Sequence, residues 1–360
     1  MKILVIICTA FVPWGGLTTV AMNYYRAMNK DGMIIDFAST NDAEEKLVDE
    51  LESNGGKYFK LPQRKKIFSY VSKLYSILKD YDVIHIHGNS ATMSLELFPA
   101  VLCRVPKRIV HCHTTQPTAK ALSKFLRPAF LKMYTQAIAV SKEAGVWLYG
   151  EDNFVVLNNA ISVKKYQFDN KLREEVRRQL RVSKDTIIFG HVGKIYEPKN
   201  HPFLIRIFYQ IKKRKKDSIL LLVGDGPMKK EIEDLADDLK LSDSVIFAGM
   251  SNDTVKWMQA MDCFIFPSLW EGFGLALAEA QANGLKCFVS KGIPEKSNII
   301  GNVEILDLDE GEVVWTEKIC NSSYQRMKSD EVVAKFRKAH LDISLEADHL
   351  RVIYYGKVEK

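Results

Sequence analysis

No stretch of the 360-residue sequence approaches the ~18 uninterrupted apolar residues that argue for a membrane-spanning helix. None of the six cysteines (Cys8, Cys103, Cys112, Cys263, Cys287, Cys320) forms a CxxC pair. A redox dithiol or a paired-thiolate zinc site is therefore not indicated. Most of them fall in predicted strands, where a free thiol behaves as a small hydrophobe, and that is the usage of a reducing compartment. Neither GxGxxG nor GxxxxGK[ST] occurs, so a standard dinucleotide fold and a P-loop NTPase are both disfavoured. No linker is Pro-rich or low in complexity, and no solenoid repeat is visible.

Acidic residues are missing from two stretches. Lys57–Lys79 holds seven basic residues and no acid, and Leu97–Lys142 holds eight and again no acid. Residues 1–165 carry 21 basic and 14 acidic side chains, while the remainder carries 30 of each, so the net charge of +7 sits in the first half. A one-sided excess suggests an anionic partner, a membrane surface or a nucleic acid. The usual aromatic–basic modules of nucleic-acid binding are absent, so no nucleic-acid partner is expected.

What is present is an alternation. Short Val- and Ile-rich runs recur at Ile3–Cys8, Ile34–Ala38, Tyr58–Leu61, Val83–His87, Arg108–His113, Ala137–Val140 and Phe154–Leu157. Amphipathic stretches such as Thr18–Met28 and Ile67–Leu78 lie between them. The second half repeats the plan, with strands at Ile187–Val192, Ile219–Val223, Val245–Ala248, Cys263–Pro267 and Cys287–Ser290. Its helices are expected at His201–Arg214, Met228–Leu239, Asp253–Met261 and Leu275–Asn283, and residues 311–360 read as helices only. Strands that alternate with helices predict parallel sheets covered on both faces, and 360 residues suit two such domains. The apolar start MKILVIICTA is short and ends at Pro13-Trp14-Gly15-Gly16, so it reads as a buried first strand rather than a signal peptide. The domains are expected at 1–163 and 164–341. Residues 342–360 are expected to form a helix packing back toward the first domain.

In open parallel sheets, ligands bind beyond the carboxyl ends of the strands. Three loops there stand out. Pro13-Trp14-Gly15-Gly16-Leu17 follows the first strand, and its glycines let the backbone approach a ligand. Gly193-Lys194-Ile195-Tyr196-Glu197-Pro198-Lys199-Asn200 sets two lysines at the mouth of the second sheet, which suits a diphosphate; Asn200 is placed to cap the next helix. Glu271-Gly272-Phe273-Gly274-Leu275-Ala276-Leu277-Ala278-Glu279 combines open backbone amides at a helix start with two carboxylates that could accept from sugar hydroxyls. The bland alternatives are a tight turn, solvated lysines and a capping carboxylate.

The third loop, within SLWEGFGLALAEAQANG, resembles the E-x7-E segment of glycosyltransferase family 4, the group 1 retaining enzymes of GT-B fold. GHVGKIYEPKNHPFLI resembles the family's glycine–basic…Lys-Asn loop, LLLVGDGPMKKEIE its GxG loop, and VIFAGM the strand that follows. The AVS and LNNAI segments fit as well, so the likeness runs nearly end to end. It is nearest to bacterial exopolysaccharide and capsule enzymes.

The resemblance implies an α/β GT-B fold, two Rossmann-like domains with parallel sheets facing across a cleft. It implies that Lys194 and Lys199 neutralise a donor diphosphate and that Glu271 binds donor-sugar hydroxyls. Backbone at Phe273, Gly274 and Leu275 would hold sugar and phosphate, and Glu279 the ribose. Gly15 and Gly16 would approach the phosphates from the first domain, with Gly193 and Gly224 in the glycine loops of the second. His113 takes the place of the family's His near the reacting centre. The chain departs twice from the pattern. The first basic residue is Lys194 where Arg is usual, exchanging a bidentate fork for a point charge. The boundary turn reads Leu-Asn-Asn-Ala-Ile-Ser, so a left-handed turn must use Asn159 or rearrange.

The resulting expectation is sugar transfer from a nucleoside-diphosphate donor to a lipid-linked acceptor, by front-face attack with the β-phosphate helping to take the acceptor proton. No cofactor and no essential metal are expected. His85/His87 and His111/His113 each alternate on a strand, but no acidic cluster completes a metal set. A same-fold nucleotide-sugar epimerase and a non-catalytic partner subunit remain as alternatives. Within Thr118–Met133, Lys120, Lys124 and Arg127 share one side and Leu122, Phe125, Leu126 and Met133 another, with Pro128 expected to kink or divide the helix. That basic amphipathic segment predicts a protein held peripherally on the inner face of the cytoplasmic membrane.

Overall fold

The computed structural model describes residues 1–13, 15–114, 120–151, 153–251 and 253–356. Seven strands form the first sheet: β1 (Lys2–Ile7), β2 (Ile34–Ser39), β3 (Tyr58–Lys60), β4 (Val83–Gly88), β5 (Lys107–Cys112), β6 (Gln136–Ala139) and β7 (Val155–Val156). Six form the second: β8 (Ile187–Val192), β9 (Ser218–Val223), β10 (Val245–Gly249), β11 (Cys263–Phe266), β12 (Lys286–Ser290) and β13 (Val303–Leu306). Their orders are β3-β2-β1-β4-β5-β6-β7 and β10-β9-β8-β11-β12-β13. The described pairings are all parallel.

Each order grows outward from its first strand, then reverses and continues on the other side. The reversal between β1 and β4, and again between β8 and β11, leaves a crevice beyond the strand ends where ligands bind in such sheets. The continuous apolar run of β9 follows from cover on both faces. Ile219, Leu221 and Val223 enter a core with Phe264, Phe266 and Met258, whereas Leu220 and Leu222 enter the opposite one with Phe208 and Trp315.

The chain divides into two compact units, Met1–Ala160 with Ile343–Lys360, and Ile161–Asp342. The boundary lies three residues before the expected one. Ile161 bridges to Asp342, and its N–H donates to the Leu341 carbonyl at 3.0 Å, which ties 161–163 into the second unit. The final helix, Ile343–Tyr355, packs on the helix Gly16–Ala27 of the first unit.

Several local expectations change. The strand at Phe154–Leu157 shrinks to two exposed residues at the sheet edge. The helix Lys120–Met133 runs unbroken through Pro128, which is solvent-exposed and leaves its missing bond on the outside. Thr118 and Ala119 of the amphipathic segment, and Trp14 of the glycine loop, lie outside the described residues. Asn159 is not among the positive-φ residues: the turn rearranges, with the Ala160 N–H donating to the Asn158 carbonyl at 2.7 Å. Asn200 holds the N-cap position of the helix His201–Arg214, but in a left-handed conformation (φ 54°) and without a side-chain capping bond.

Candidate functional site

The second unit gathers most of the expected site at the reversal between β8 and β11. Gly193 follows β8 directly, and its N–H donates to the Val223 carbonyl at 2.9 Å. The neighbouring loop presses on it: a Cβ at Gly224 would come within 2.0 Å of the Gly193 carbonyl oxygen, and one at Gly226 within 2.1 Å of the Ile195 carbonyl oxygen. Gly224 also has φ +145°. These glycines let two strand-end loops pack backbone to backbone, so packing alone accounts for Gly224.

Lys194 is exposed, with its ammonium 5.5 Å from the Tyr196 ring centre. Lys199 is mostly enclosed; its side chain is 13% exposed. It lies 4.6 Å from the Phe266 ring centre and donates to Glu271 Oε1. The Glu271 side chain, 15% exposed, also accepts from Ser268 Oγ at 3.1 Å. The Glu271 backbone is pinned by its N–H to the Gly292 carbonyl at 3.0 Å. The lysine expected on a diphosphate and the carboxylate expected on a sugar thus meet as an ion pair.

Gly274 caps the helix Leu275–Ala282 in a left-handed conformation (φ 78°, ψ 67°) that a side chain would strain. The Leu277 and Ala278 N–H groups bond back to the Gly274 carbonyl. The first amides of the helix, near Leu275, have no intrahelical acceptor by construction and point out of its positive end. Phe273 and Leu275 are half-buried and packed on the core.

Glu279 occupies a different place. Its carboxyl faces Thr254, whose hydroxyl reaches Oε2 at 3.5 Å and lies 3.3 Å from the Tyr166 hydroxyl. Burial pushes its pKa up to about 7, opposed by the Tyr166 hydroxyl, the Lys165 charge and Thr254. The two glutamates therefore sit in different surroundings, one ion-paired and one near half-ionised at neutral pH.

In the first unit, Gly15 caps the helix Gly16–Ala27 at an ordinary φ of −78°, its Cβ position crowded by Val12 and Thr18. A Cβ at Gly16 would meet nothing within 4 Å among the described residues, so their packing gives no reason for glycine there. His113 follows β5, half-buried, with its N–H on the Gly88 carbonyl at 3.2 Å. Parallel pairing sets His87 opposite His111, so the two alternating pairs become one buried group. The ligand atoms of His85, His87 and His111 lie within 4.8 Å of one another. The dismissal of a metal on the ground of incomplete sets thus needs correction: strand register supplies the third residue. The ring planes nevertheless lie only 3° to 38° apart, so their in-plane lone pairs run side by side instead of meeting at a point. The set fits a stack of neutral rings better than a chelate.

Sequence reasoning missed Ser268, Thr254, Tyr166 and His87. Only strand-end position could have flagged Ser268 and His87. Nothing local flags Thr254 or Tyr166, which reach Glu279 across the fold.

Two parallel sheets of this order, each with its loops at the reversal point, define a GT-B protein. The helix-opening loop with its lysines and glutamates is what the resemblance to a glycosyltransferase of that fold leads one to expect, and the family matches show that family. Residues 173–313 match the family described as "Glycosyl transferases group 1" and residues 14–164 match "Glycosyltransferase Family 4". The chain is 31% identical over 326 residues to the putative glycosyltransferase EpsF of Bacillus subtilis, covering 86% of this chain and 85% of that one. It is 29% identical over 245 residues to the UDP-Gal:alpha-D-GlcNAc-diphosphoundecaprenol alpha-1,3-galactosyltransferase of Escherichia coli, covering 64% and 61%. Anabaena HepE, solved in complex with UDP, superposes with a TM-score of 0.77 at 17% identity, over 99% of this chain and 100% of that one. The protein belongs to the group 1 glycosyltransferases, family 4.

Proposed function

We propose that this chain transfers a sugar from a nucleoside-diphosphate donor to a lipid-linked sugar acceptor in exopolysaccharide or capsule assembly, with retention of anomeric configuration. The observation that carries the reading is the convergence of Lys199, Glu271, Lys194 and the Gly274 helix start on the β8/β11 reversal. A pyrophosphate needs fixed positive charge, and a helix N-terminus with lysines supplies it without a metal. Glu271 accepts from donor-sugar hydroxyls once the diphosphate takes its place on Lys199. Glu279 accepts from the ribose. Uracil is the favoured base of the donor, since the E. coli relative is named for UDP-Gal.

In the reaction, the acceptor oxygen approaches the anomeric carbon on the face from which the diphosphate departs. The carbon–phosphate oxygen bond breaks, the new glycosidic bond forms, and a β-phosphate oxygen takes the acceptor proton. Lys194, Lys199 and the helix start stabilise the charge that develops on the leaving group, and such preorganised electrostatics are usually the largest catalytic contribution.

The lipid-linked acceptor is supported by the E. coli relative's named substrate and by one surface of the first unit. The helix Ser94–Leu102 packs against both Ile67–Leu78 and Lys120–Met133. Together they expose Ile67, Phe68 (94%), Phe98, Leu102, Leu122 and Phe125 (80%). Lys65, Lys66, Lys73, Lys120 and Lys124 are exposed around them. Arg127 is not part of this set, because its Nε donates to the Leu148 carbonyl at 3.0 Å. Glu96, the one acid in the three helices, is buried with Arg64 and Tyr70. Exposed aromatics within a basic field suit a peripheral stay on anionic lipid, at the inner face of the cytoplasmic membrane. No helix among the described residues is long and apolar enough to cross a membrane.

The test is a mass-spectrometric screen of UDP- and GDP-sugars with bacterial membrane lipid extract as acceptor, in EDTA. The reading expects one donor to be consumed only when lipid is present, releasing nucleoside diphosphate. Isomerisation of the donor without acceptor would replace it with an epimerase, and turnover lost in EDTA would overturn the metal-free mechanism.

A further inference from the structure

Four imidazoles crowd one face of β4 and β5. Ring centres lie 4.3 Å apart for His85–His87, 4.9 Å for His87–His111, 4.3 Å for His111–His113 and 5.1 Å for His87–His113. His85, His87 and His111 are buried. Two hydrogen bonds organise the group: His85 Nδ1 with the Tyr354 hydroxyl at 2.8 Å, and His87 Nδ1 with His113 Nε2 at 2.9 Å. His113 Nδ1 is buried and has no hydrogen-bond partner among the described residues. The groups that act on these rings are one another, the Leu157 backbone at His111 and the Tyr354 hydroxyl at His85. No carboxylate is among them.

We propose that His87 is a positioning residue for His113, holding its imidazole neutral, in one orientation and in one tautomer, so that Nδ1 is the ring nitrogen left for a ligand. The proposal rests on His113 lying at the reacting centre, as read above. A neutral imidazole carries one N–H, and the 2.9 Å contact accommodates one proton between its two nitrogens. If His87 Nδ1 donates, His113 carries its own proton on Nδ1 and offers a donor. If His87 Nδ1 accepts, His113 Nε2 donates and Nδ1 offers a lone pair. The two tautomers are locked to each other in either case. The same strand end also holds the His113 backbone, through Gly88. Burial without a counter-charge lowers the His113 pKa to about 3, so the ring stays neutral through the working range. His113 therefore serves as a fixed hydrogen-bonding group toward a sugar or acceptor hydroxyl, and proton removal is left to the departing phosphate.

The experiment uses the full chain labelled with 15N-histidine, in EDTA, and reads long-range 1H–15N correlations of His113 from pH 6 to 8. Wild type should show a single neutral tautomer with no titration. His87→Leu should populate both tautomers. In the transfer assay with lipid extract, His87→Leu should lower kcat at least tenfold while donor KM stays within twofold. His87→Asn, whose amide reaches the Nδ1 position, should recover most of that loss, and His87→Gln, which reaches only the Nε2 position, should not. The double variant His87→Leu/His113→Ala should be no slower than His113→Ala. If His87→Leu does not fold, the Asn and Gln variants carry the comparison. A single His113 tautomer persisting without His87, or equal turnover in Asn and Gln, overturns the proposal. His113→Ala at the wild-type rate would instead remove its foundation, the placing of His113 at the reacting centre. Stoichiometric zinc retained by wild type and lost in His87→Leu would also overturn it, in favour of a metal site.

Discussion

The two sheets run in the same strand order, yet the loops beyond their reversal points differ in chemistry. The second unit concentrates charge there: Lys194, Lys199 and Glu271 lie in two loops, and Glu279 stands about a turn into the helix that follows. The first unit places glycines and a stack of buried histidines at the same topological position, and keeps its excess of lysine on outer helices. A polyanionic donor needs fixed charge at the site, and the Glu271 carboxylate keeps the Lys199 charge from being buried unpaired. A hydroxyl acceptor needs a neutral hydrogen-bonding surface, and a lipid-linked one also needs a membrane close by. On the proposed reading, one topology would support two ligand chemistries through the side chains at its strand ends and loops.

Several measurements break or sharpen this contrast. Glu271→Ala has the largest expected effect. It removes the proposed sugar contact and frees Lys199, and kcat should fall by about 100-fold, the scale of losing one preorganised polar group at a reacting centre. Nucleotide affinity should hold or rise in the same variant, so weaker UDP binding in calorimetry would contradict the division of roles.

The outer surface of the first unit comes next. The protein should pellet with phosphatidylglycerol vesicles but not with phosphatidylcholine vesicles, and 1 M salt should release it. Lys120→Glu/Lys124→Glu with Phe125→Ser should lower the vesicle-bound fraction at least tenfold and leave UDP binding unchanged. Equal pelleting with both lipids would point to a soluble acceptor.

Glu279 gives a smaller, pH-dependent effect. Its pKa is raised to about 7, chiefly by burial, so the folded state holds its proton more tightly than the unfolded chain. Its contribution to stability is therefore full below the ordinary glutamate range and is lost as pH rises toward about 7. Glu279→Gln should flatten that slope in denaturant titrations between pH 5 and 8. If the ionised carboxylate accepts from the ribose, UDP affinity should strengthen as pH rises through 7 in wild type by more than in Glu279→Gln. Parallel curves for the two proteins would remove Glu279 from the ribose. The smallest change is Lys194→Arg, which restores a fork at an exposed position and should keep turnover within about threefold, since a charge-assisted contact is preserved.

How far the sequence reaches follows the range of each interaction. β8 and the helices Ile67–Leu78 and His201–Arg214 match the expected limits residue for residue, because apolar period and end signals are local. β13 escapes such a reading: it is an edge strand of only four residues, three of them half-buried, and its Glu304 pairs with Lys286 of β12. The loops of the donor side were legible as motifs at strand ends. The Lys199–Glu271 pair, 72 residues apart in the chain, was not, nor was the Tyr166–Thr254–Glu279 cluster, because both depend on which strands become neighbours. The histidine stack is the clearest case. Each HxH pair is visible in the sequence, but only the β4/β5 register sets His87 against His111 and His113.

The account turns on a diphosphate site built around Lys199, and isothermal titration of UDP and uridine into wild type and Lys199→Ala tests it most directly. Loss of a charge-assisted contact should weaken UDP by about 10- to 100-fold, or ~1.5–3 kcal/mol, while uridine binds both proteins alike. Equal weakening of UDP and uridine would mean that Lys199 supports the fold through Glu271, and unchanged UDP affinity would mean that the diphosphate lies elsewhere.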